Sequence, residues 1–505
     1  MFSKETVKLF IFISLATLFT GIFLSSTDFI KTPVSGWKDF FIVLMQWSII
    51  LATIWCSIYV LALNKYIFML AFPLINIVAA VLAYFRYTAN AVLTTMILDA
   101  ALHNDVHTSA DLISSGLIFF VSLIFLLSIG FVIYRFKKIT LKKPLIQTIS
   151  AFVIFLLFMQ IPQFRRPVSE RIPFNIYFVT KRYYEEKAVI MTDRPSLASG
   201  IIYSSPDDSL TVVLIIGESL RADHLGTNGY KRNTTPLLQQ DSIISFPNIY
   251  SKYIYTNESL PHFLTRADSL HEDRAYHERS FIDLYKTCGF YSVWLANQES
   301  ADAYVYFMHE CNRLEYVNME KSPYVFVQWL DGALLPLLDK EMDSVQYAKK
   351  LFILHTIGSH WYYNSHYSDE FKKYTPVTNS RIISASTPEE IINSYDNTIL
   401  YMDFFIHSII GRLRDKNAIM IFLSDHGESL GENNTWLHAV DSSPIHNPAC
   451  MVWMSPAYKK NHPEIYNRAL QNQKRRFHTD FIFPSMLDAA NIGSPFLDPE
   501  LSIFR

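Results

Sequence analysis

Charge is scarce in this chain. Only 18% of its 505 residues are Asp, Glu, Lys or Arg, and the two signs nearly cancel, to −2. Without a basic excess there is no electrostatic footprint for phosphate backbones, which excludes nucleic acid as a main partner. Cysteine is scarcer: Cys56, Cys288, Cys311 and Cys450 are all there is. No two of them form a C-x-x-C pair, so a zinc site built on cysteine is excluded. Cys288 and Cys311 could join outside a reducing compartment, but spacing alone does not pair them. Internal repeats and low-complexity tracts are absent too.

Hydrophobic residues fill the gap. They make up 50% of the chain, more than a soluble protein of this size carries with so few charges, so membrane spans must hold the excess. Apolar runs long enough to cross a bilayer lie at Val7–Ser25, Phe40–Leu63, Tyr66–Phe85, Leu112–Tyr134 and Leu145–Ile161. Five spans put the termini on opposite sides. Lys4 and Lys8 precede the first run, and Arg135, Lys137, Lys138, Lys142 and Lys143 lie between the last two. Both groups belong inside by the positive-inside rule, so everything after Ile161 is expected outside. Arg86–Asp111, with Asp99, His103, Asn104, Asp105 and His107, reads as a polar interfacial helix, or else as a lid or headgroup contact facing the soluble domain. Phe174–Ile190 mixes aromatics with Lys181, Arg182 and Lys187, as in a helix lying at headgroup level. The organisation expected is therefore a five-helix transmembrane domain (1–161), a bridge (162–210) and an extracytoplasmic domain (211–505).

That last domain alternates short β-rich runs with helical stretches. The runs are Thr211–Ile216, Tyr291–Ala296, Leu351–Leu354, Ala418–Leu423 and Ala449–Met454. Nearly continuous apolar strands predict a buried, mostly parallel sheet with helices on both faces. Thr387-Pro-Glu-Glu390 has the form of a capping box and opens a helix expected to run to about Arg414.

In such sheets, sites gather beyond the carboxyl ends of the strands. One strand here runs into Gly217-Glu218-Ser219, another into His355-Thr-Ile-Gly-Ser-His360, a third into Ser424-Asp425-His426-Gly427-Glu428. A strand-end Asp is commonly only a helix cap, and a lone His is commonly only hydrogen-bonded. Three such tips together, with His438 in a Gly/Asn-rich loop, favour a metal site of mixed oxygen and nitrogen ligands. Glu218, Asp425 and His426 would leave a position open for a nucleophile and a phosphoryl oxygen. Ser219, Thr256 and Ser259 are all candidate nucleophiles, and periodicity does not choose among them.

Leu214–Leu237, LIIGESLRADHLGTNGYKRNTTPL, closely resembles the segment that opens the catalytic domain of bacterial phosphoethanolamine transferases. That family, of the alkaline-phosphatase/sulfatase kind, includes lipid A modifying and colistin-resistance enzymes. Phe246-Pro-Asn-Ile249, His355–His360, Asn393–Asp403 and SDHGESLGENNTWLH at Ser424–His438 match in order. The resemblance implies a zinc cofactor, one or two ions, held by Glu218, Asp425, His426 and the nucleophile Thr256. It implies that His360 and His438 contact a second metal or the transferred group, as candidate acid/base partners, and that Asn297 contacts the transferred group. It further implies phosphatidylethanolamine as donor, a glycolipid or glycan as acceptor, and a multi-pass inner-membrane protein with its catalytic domain in the periplasm.

The chain also departs from that family. Lipid A modifying members carry a lysine shortly after the tryptophan of the second strand, whereas Trp294–Asp302 here reads WLANQESAD. The expectation is that a sugar hydroxyl of a core oligosaccharide or other glycan is preferred over a lipid A phosphate. The rivals are a phosphoglycerol transferase of the same fold and a membrane-anchored glycan-binding protein without catalysis. A sulfatase activity is disfavoured because no C/S-x-P-x-R motif lies near Glu218 or Thr256.

Overall fold

The computed structural model describes residues 4–505 except 30–31, 90, 104–112, 141–148, 151, 154–155, 158–159, 204–206, 322–326, 345–346, 439 and 497. The chain divides into two compact units, residues 1–184 with 320–327, and residues 185–319 with 328–505.

Among the described residues of the first unit, four helices are long and apolar enough to cross a membrane: α1 (Lys4–Phe23), α2 (Trp37–Leu63), α3 (Lys65–Ala89) and α4 (Ser115–Lys138). Their outward faces carry Leu70, Phe119 and Leu126, each about two-thirds exposed. Such bare apolar area suits hydrocarbon and not water. The expected fifth span, Leu145–Ile161, falls largely outside the described residues, as do Asn104, Asp105 and His107 of the polar connection. Of that connection Thr95–His103 is helical, and Asp99 accepts a hydrogen bond from the Tyr183 hydroxyl at 2.8 Å. Arg135, buried at the end of α4, donates to the carbonyls of Ala62, Leu63 and Ile139 and so caps α2 with a charge. Asp28 takes the backbone N–H of Ile172 and faces Arg86, while Arg171 donates to its carbonyl. Helix α5 (Asn175–Ile190) covers the segment for which the sequence predicted a helix.

The second unit is built on seven strands: β1 (Leu210–Gly217), β2 (Ile244–Ser245), β3 (Tyr291–Ala296), β4 (Arg313–Tyr316), β5 (Lys349–His355), β6 (Ala418–Ser424) and β7 (Cys450–Met454). Their order is β2-β7-β6-β1-β5-β3-β4. From β6 to β4 every pairing is parallel; β7 runs antiparallel to both β6 and β2. All eight residues of β1 are buried. Val212, Leu214 and Ile216 enter one core, Val213 and Ile215 the other, so both faces of the sheet are covered. Helix α6 (Thr256–Leu264) packs in the first of these cores and α7 (Pro388–Leu413) in the second. The capping box that opens α7 forms as expected: the Thr387 hydroxyl accepts from the Glu390 N–H, and the Glu390 carboxylate takes the Thr387 N–H. All four cysteines are free thiols.

Candidate metal centre

Strands β6, β1 and β5 are neighbours and parallel, so their three carboxyl tips share one edge of the sheet. Glu218 leaves β1, and Asp425 and His426 leave β6. Ligand atoms of all three lie within 4.8 Å of one another, and all three side chains are buried. His426 Nε2 stands 3.5 Å from Glu218 and 3.4 Å from Asp425, and makes no hydrogen bond. Its other nitrogen is fixed on the Gly427 carbonyl at 2.7 Å, which orients the ring. A buried imidazole nitrogen without a partner, facing two carboxylates, fits a divalent cation.

The charges say the same. Burial lifts the Asp425 carboxyl to about 7, and the neighbouring Glu218 charge adds to the lift. Glu218 is held down: burial opposes its ionisation, but His426, His360 and His438 outweigh it. Two carboxylates this close cannot both ionise cheaply unless a cation sits between them.

Of the three hydroxyls the sequence offered, Thr256 is partly exposed and reaches two of these carboxylates. Its Oγ1 donates within 2.6 Å of Asp425 and 3.0 Å of Glu218. It is the first residue of α6, where free backbone N–H groups and the helix dipole favour negative charge. Ser219 is fully buried at φ +58°, with its hydroxyl on Glu218 Oε1 at 2.8 Å; Ser259 is turned into the core. The chain leading to Thr256 is clamped from β7's side: Asn447 donates to the Pro247 and Ile249 carbonyls, and His446 meets the Ser251 carbonyl.

A second polar pole adjoins the first. The His438 ring lies 4.5 Å from that of His426 and 6.5 Å from that of His360, centre to centre. His438 Nδ1 is 3.3 Å from the fully buried Glu428 carboxylate. Buried carboxylate charge pulls the His438 pKa to about 9 against the effect of its own burial. His355, at the same strand tip as His360, is a core residue: both ring nitrogens are unbonded, and burial drops it to about 4.

Asn297, expected against the transferred group, is buried. Its amide donates to Asp331 at 2.8 Å, and its oxygen accepts from Asn318 and Trp329. The adjacent Gln298 reaches the centre instead, donating to Glu218 Oε2 and the Thr356 carbonyl, both at 2.9 Å. Asp331 also takes the N–H groups of Ile357 and Gly358, fixing the loop that carries His360. Arg221 ties the loops after β1 and β6 together, donating to the Glu428 carbonyl, Glu432 and Asp223. Sequence reasoning passed over Gln298, Asp331 and Arg221. Arg221 and Gln298 lie inside quoted segments, but Asp331 stands at no strand tip and carried no signal.

A family model described as Sulfatase matches residues 210–492. The phosphoethanolamine transferase EptA of Escherichia coli K12 is 29% identical over 302 residues, 56% of this chain and 54% of that protein. This chain thus spans about half the length of that relative. Phosphatidylethanolamine transferase Mcr-2 of Escherichia coli is 27% identical over 481 residues, 87% of this chain and 88% of that one. Among solved structures, the soluble domain of a lipooligosaccharide phosphoethanolamine transferase A from Neisseria meningitidis superposes with TM-score 0.55 at 29% identity, covering 62% of this chain and 98% of that one. The integral membrane form of that enzyme covers 97% of both chains with TM-score 0.55 at 24% identity. The periplasmic domain of EptC from Escherichia coli, solved with Zn, covers 62% of this chain and 90% of that one with TM-score 0.56 at 24% identity.

Proposed function

Because this chain belongs to the sulfatase family, we propose that it is a membrane-anchored phosphoethanolamine transferase, carrying the group on Thr256 from phosphatidylethanolamine to a cell-surface glycolipid or glycan. The observation that carries this reading is the Thr256 hydroxyl, partly exposed at a helix N-terminus and within hydrogen-bond reach of Asp425 and Glu218. The names of the relatives support the reaction class, and that of Mcr-2 supports the donor.

Glu218, Asp425, His426 and Thr256 would hold zinc, the ion bound by the EptC domain of the same fold. When bound, zinc supplies a Lewis acid that stabilises the deprotonated hydroxyl and neutralises phosphoryl charge. Thr256 Oγ1 gives its proton to the carboxylate it already bonds and attacks phosphorus. The new O–P bond forms as the bond to the glycerol oxygen breaks, and diacylglycerol leaves with a proton. His438, protonated at neutral pH, is suited to supply that proton; His360 is a candidate base for the acceptor hydroxyl in the second step. Gln298 steadies Glu218, and Asp331 with Asn297 steadies the His360 loop.

A lipid donor explains the anchor, since a site held at the bilayer surface searches a plane and not a volume. The reading puts the chain in a bacterial inner membrane, with residues 211–505 as a periplasmic catalytic domain. Full-length protein in vesicles of labelled phosphatidylethanolamine tests it. Diacylglycerol release that disappears in Thr256→Ala is expected; release that persists in Thr256→Ala, or that occurs only from phosphatidylglycerol, would overturn the reading.

A further inference from the structure

The first unit contains a cavity of about 550 Å³ between α1, α2, α3 and the start of α5. Its floor is closed: Phe72 and Ile54 are each 2% exposed. Its rim is open, with Tyr177 67% exposed. The polar side chains that α1, α2 and α3 contribute to it are already bonded to protein. Thr20 donates to Asn76, Asn76 to the Phe72 carbonyl, and Ser57 to the Thr53 carbonyl, at 3.0, 2.8 and 2.8 Å.

Little therefore remains for water to bond. At about 30 Å³ each, roughly eighteen waters would be needed to fill the space, and nearly all would lack protein partners. A cavity of this size is also within the range of roughly 300–1,000 Å³ that holds a substantial ligand. In a unit of membrane-crossing helices the available apolar filler is a lipid chain. One cation marks the rim: Lys181, exposed on α5, lines the same cavity beside Thr180. Apolar depth below a cationic and hydroxyl-bearing edge matches an acyl chain below a phosphate.

We propose that this groove is a lipid site, holding one acyl chain of a membrane phospholipid with the lipid phosphate at Lys181. The inference does not depend on the transferase reading. The floor residues bury the chain, and Thr20 and Asn76 satisfy each other beside it. Tyr177 flanks the mouth at headgroup level, where amphipathic rings sit.

The test uses full-length protein in vesicles containing phosphatidylethanolamine with a diazirine on its acyl chain, followed by peptide mass spectrometry. Labels are expected to concentrate on the α2 segment around Ser57 and on Phe174–Lys181, above those on the bare α4 face at Phe119 and Leu126. Ser57→Phe, which fills the floor, should reduce the groove labels several-fold and leave the α4 labels unchanged. Lys181→Glu, at an exposed position, should lower them as well. Labels spread evenly over the lipid-facing helices, or groove labels unchanged in both variants, would overturn the proposal.

Discussion

Gly358 and Gly411 make a matched pair of substitutions in the same unit. Gly358 sits in the His360 loop at φ +50°, and an added Cβ would lie 2.8 Å from the Glu218 carbonyl oxygen and 2.9 Å from its nitrogen. A side chain in the left-handed region costs about 1–2 kcal/mol. Overpacking adds about 1–3 kcal/mol, because both neighbours are backbone and cannot swing aside. Gly358→Ala should therefore cost roughly 2–5 kcal/mol, or about 4–20 °C of melting temperature at 2–4 °C per kcal/mol. Relief comes by pushing Glu218 away from Asp425 and His426, so zinc affinity should fall along with stability. Gly411, inside α7, would place a Cβ in open space. Gly411→Ala should stabilise by about 0.5–1 kcal/mol through helix propensity alone. Thermal melting of the full chain in detergent, with and without zinc, reads both. A Gly358→Ala protein that melts within a degree of wild type and binds zinc equally would refute the claim that this loop presses on a metal ligand.

Stripping metal should lower the melting temperature and abolish transfer, with zinc restoring both, because zinc binding the native centre at 100 times its Kd adds about 2.7 kcal/mol; an exhaustively metal-free preparation with full activity would contradict this. Burial lifts the Glu310 carboxyl from 4.5 to about 7, although Ser280 donates to it. The folded chain thus holds that proton more tightly than the unfolded one, and stability is lost as pH rises from about 4.5 to 7. Glu310→Gln should gain up to roughly 3 kcal/mol on wild type between pH 5 and pH 8 in urea titrations; a constant difference across that range would count against it. Glu299 and Asp302 follow Gln298, and each would repel a phosphorylated acceptor by several tenths to about 1 kcal/mol. Expression in a polymyxin-sensitive host should therefore put phosphoethanolamine on core sugars; modification mainly of lipid A phosphates, with raised resistance, would refute that preference.

The central strands were legible because strands buried on both faces must be apolar throughout, as Thr211–Ile216 and Ala418–Leu423 are. The two strands of the central sheet that sequence reasoning missed lie at its edges: Ile244–Ser245 is two residues long, and Arg313–Tyr316 is polar and half-exposed. The chemistry at the tips of β1, β5 and β6 was readable because three polar clusters broke three apolar runs. What composition could not say is that those strands are neighbours, which brings the clusters into one centre. Asn297 and Gln298 show a finer limit. One residue separates a side chain buried against Asp331 from one that reaches Glu218, and the bend after β3 decides which. Asp331 is visible only through its three buried donors, which come from two distant segments.

The central claim is that Thr256 carries the group. Full-length protein in phosphatidylethanolamine vesicles without acceptor, quenched and digested, tests it through the mass of the peptide containing Thr256. A phosphoethanolamine ester on Thr256 is predicted, absent in Thr256→Ala and lost when acceptor is added. Continued turnover with Thr256 unmodified, or the group found on Ser219 or another residue, would contradict it.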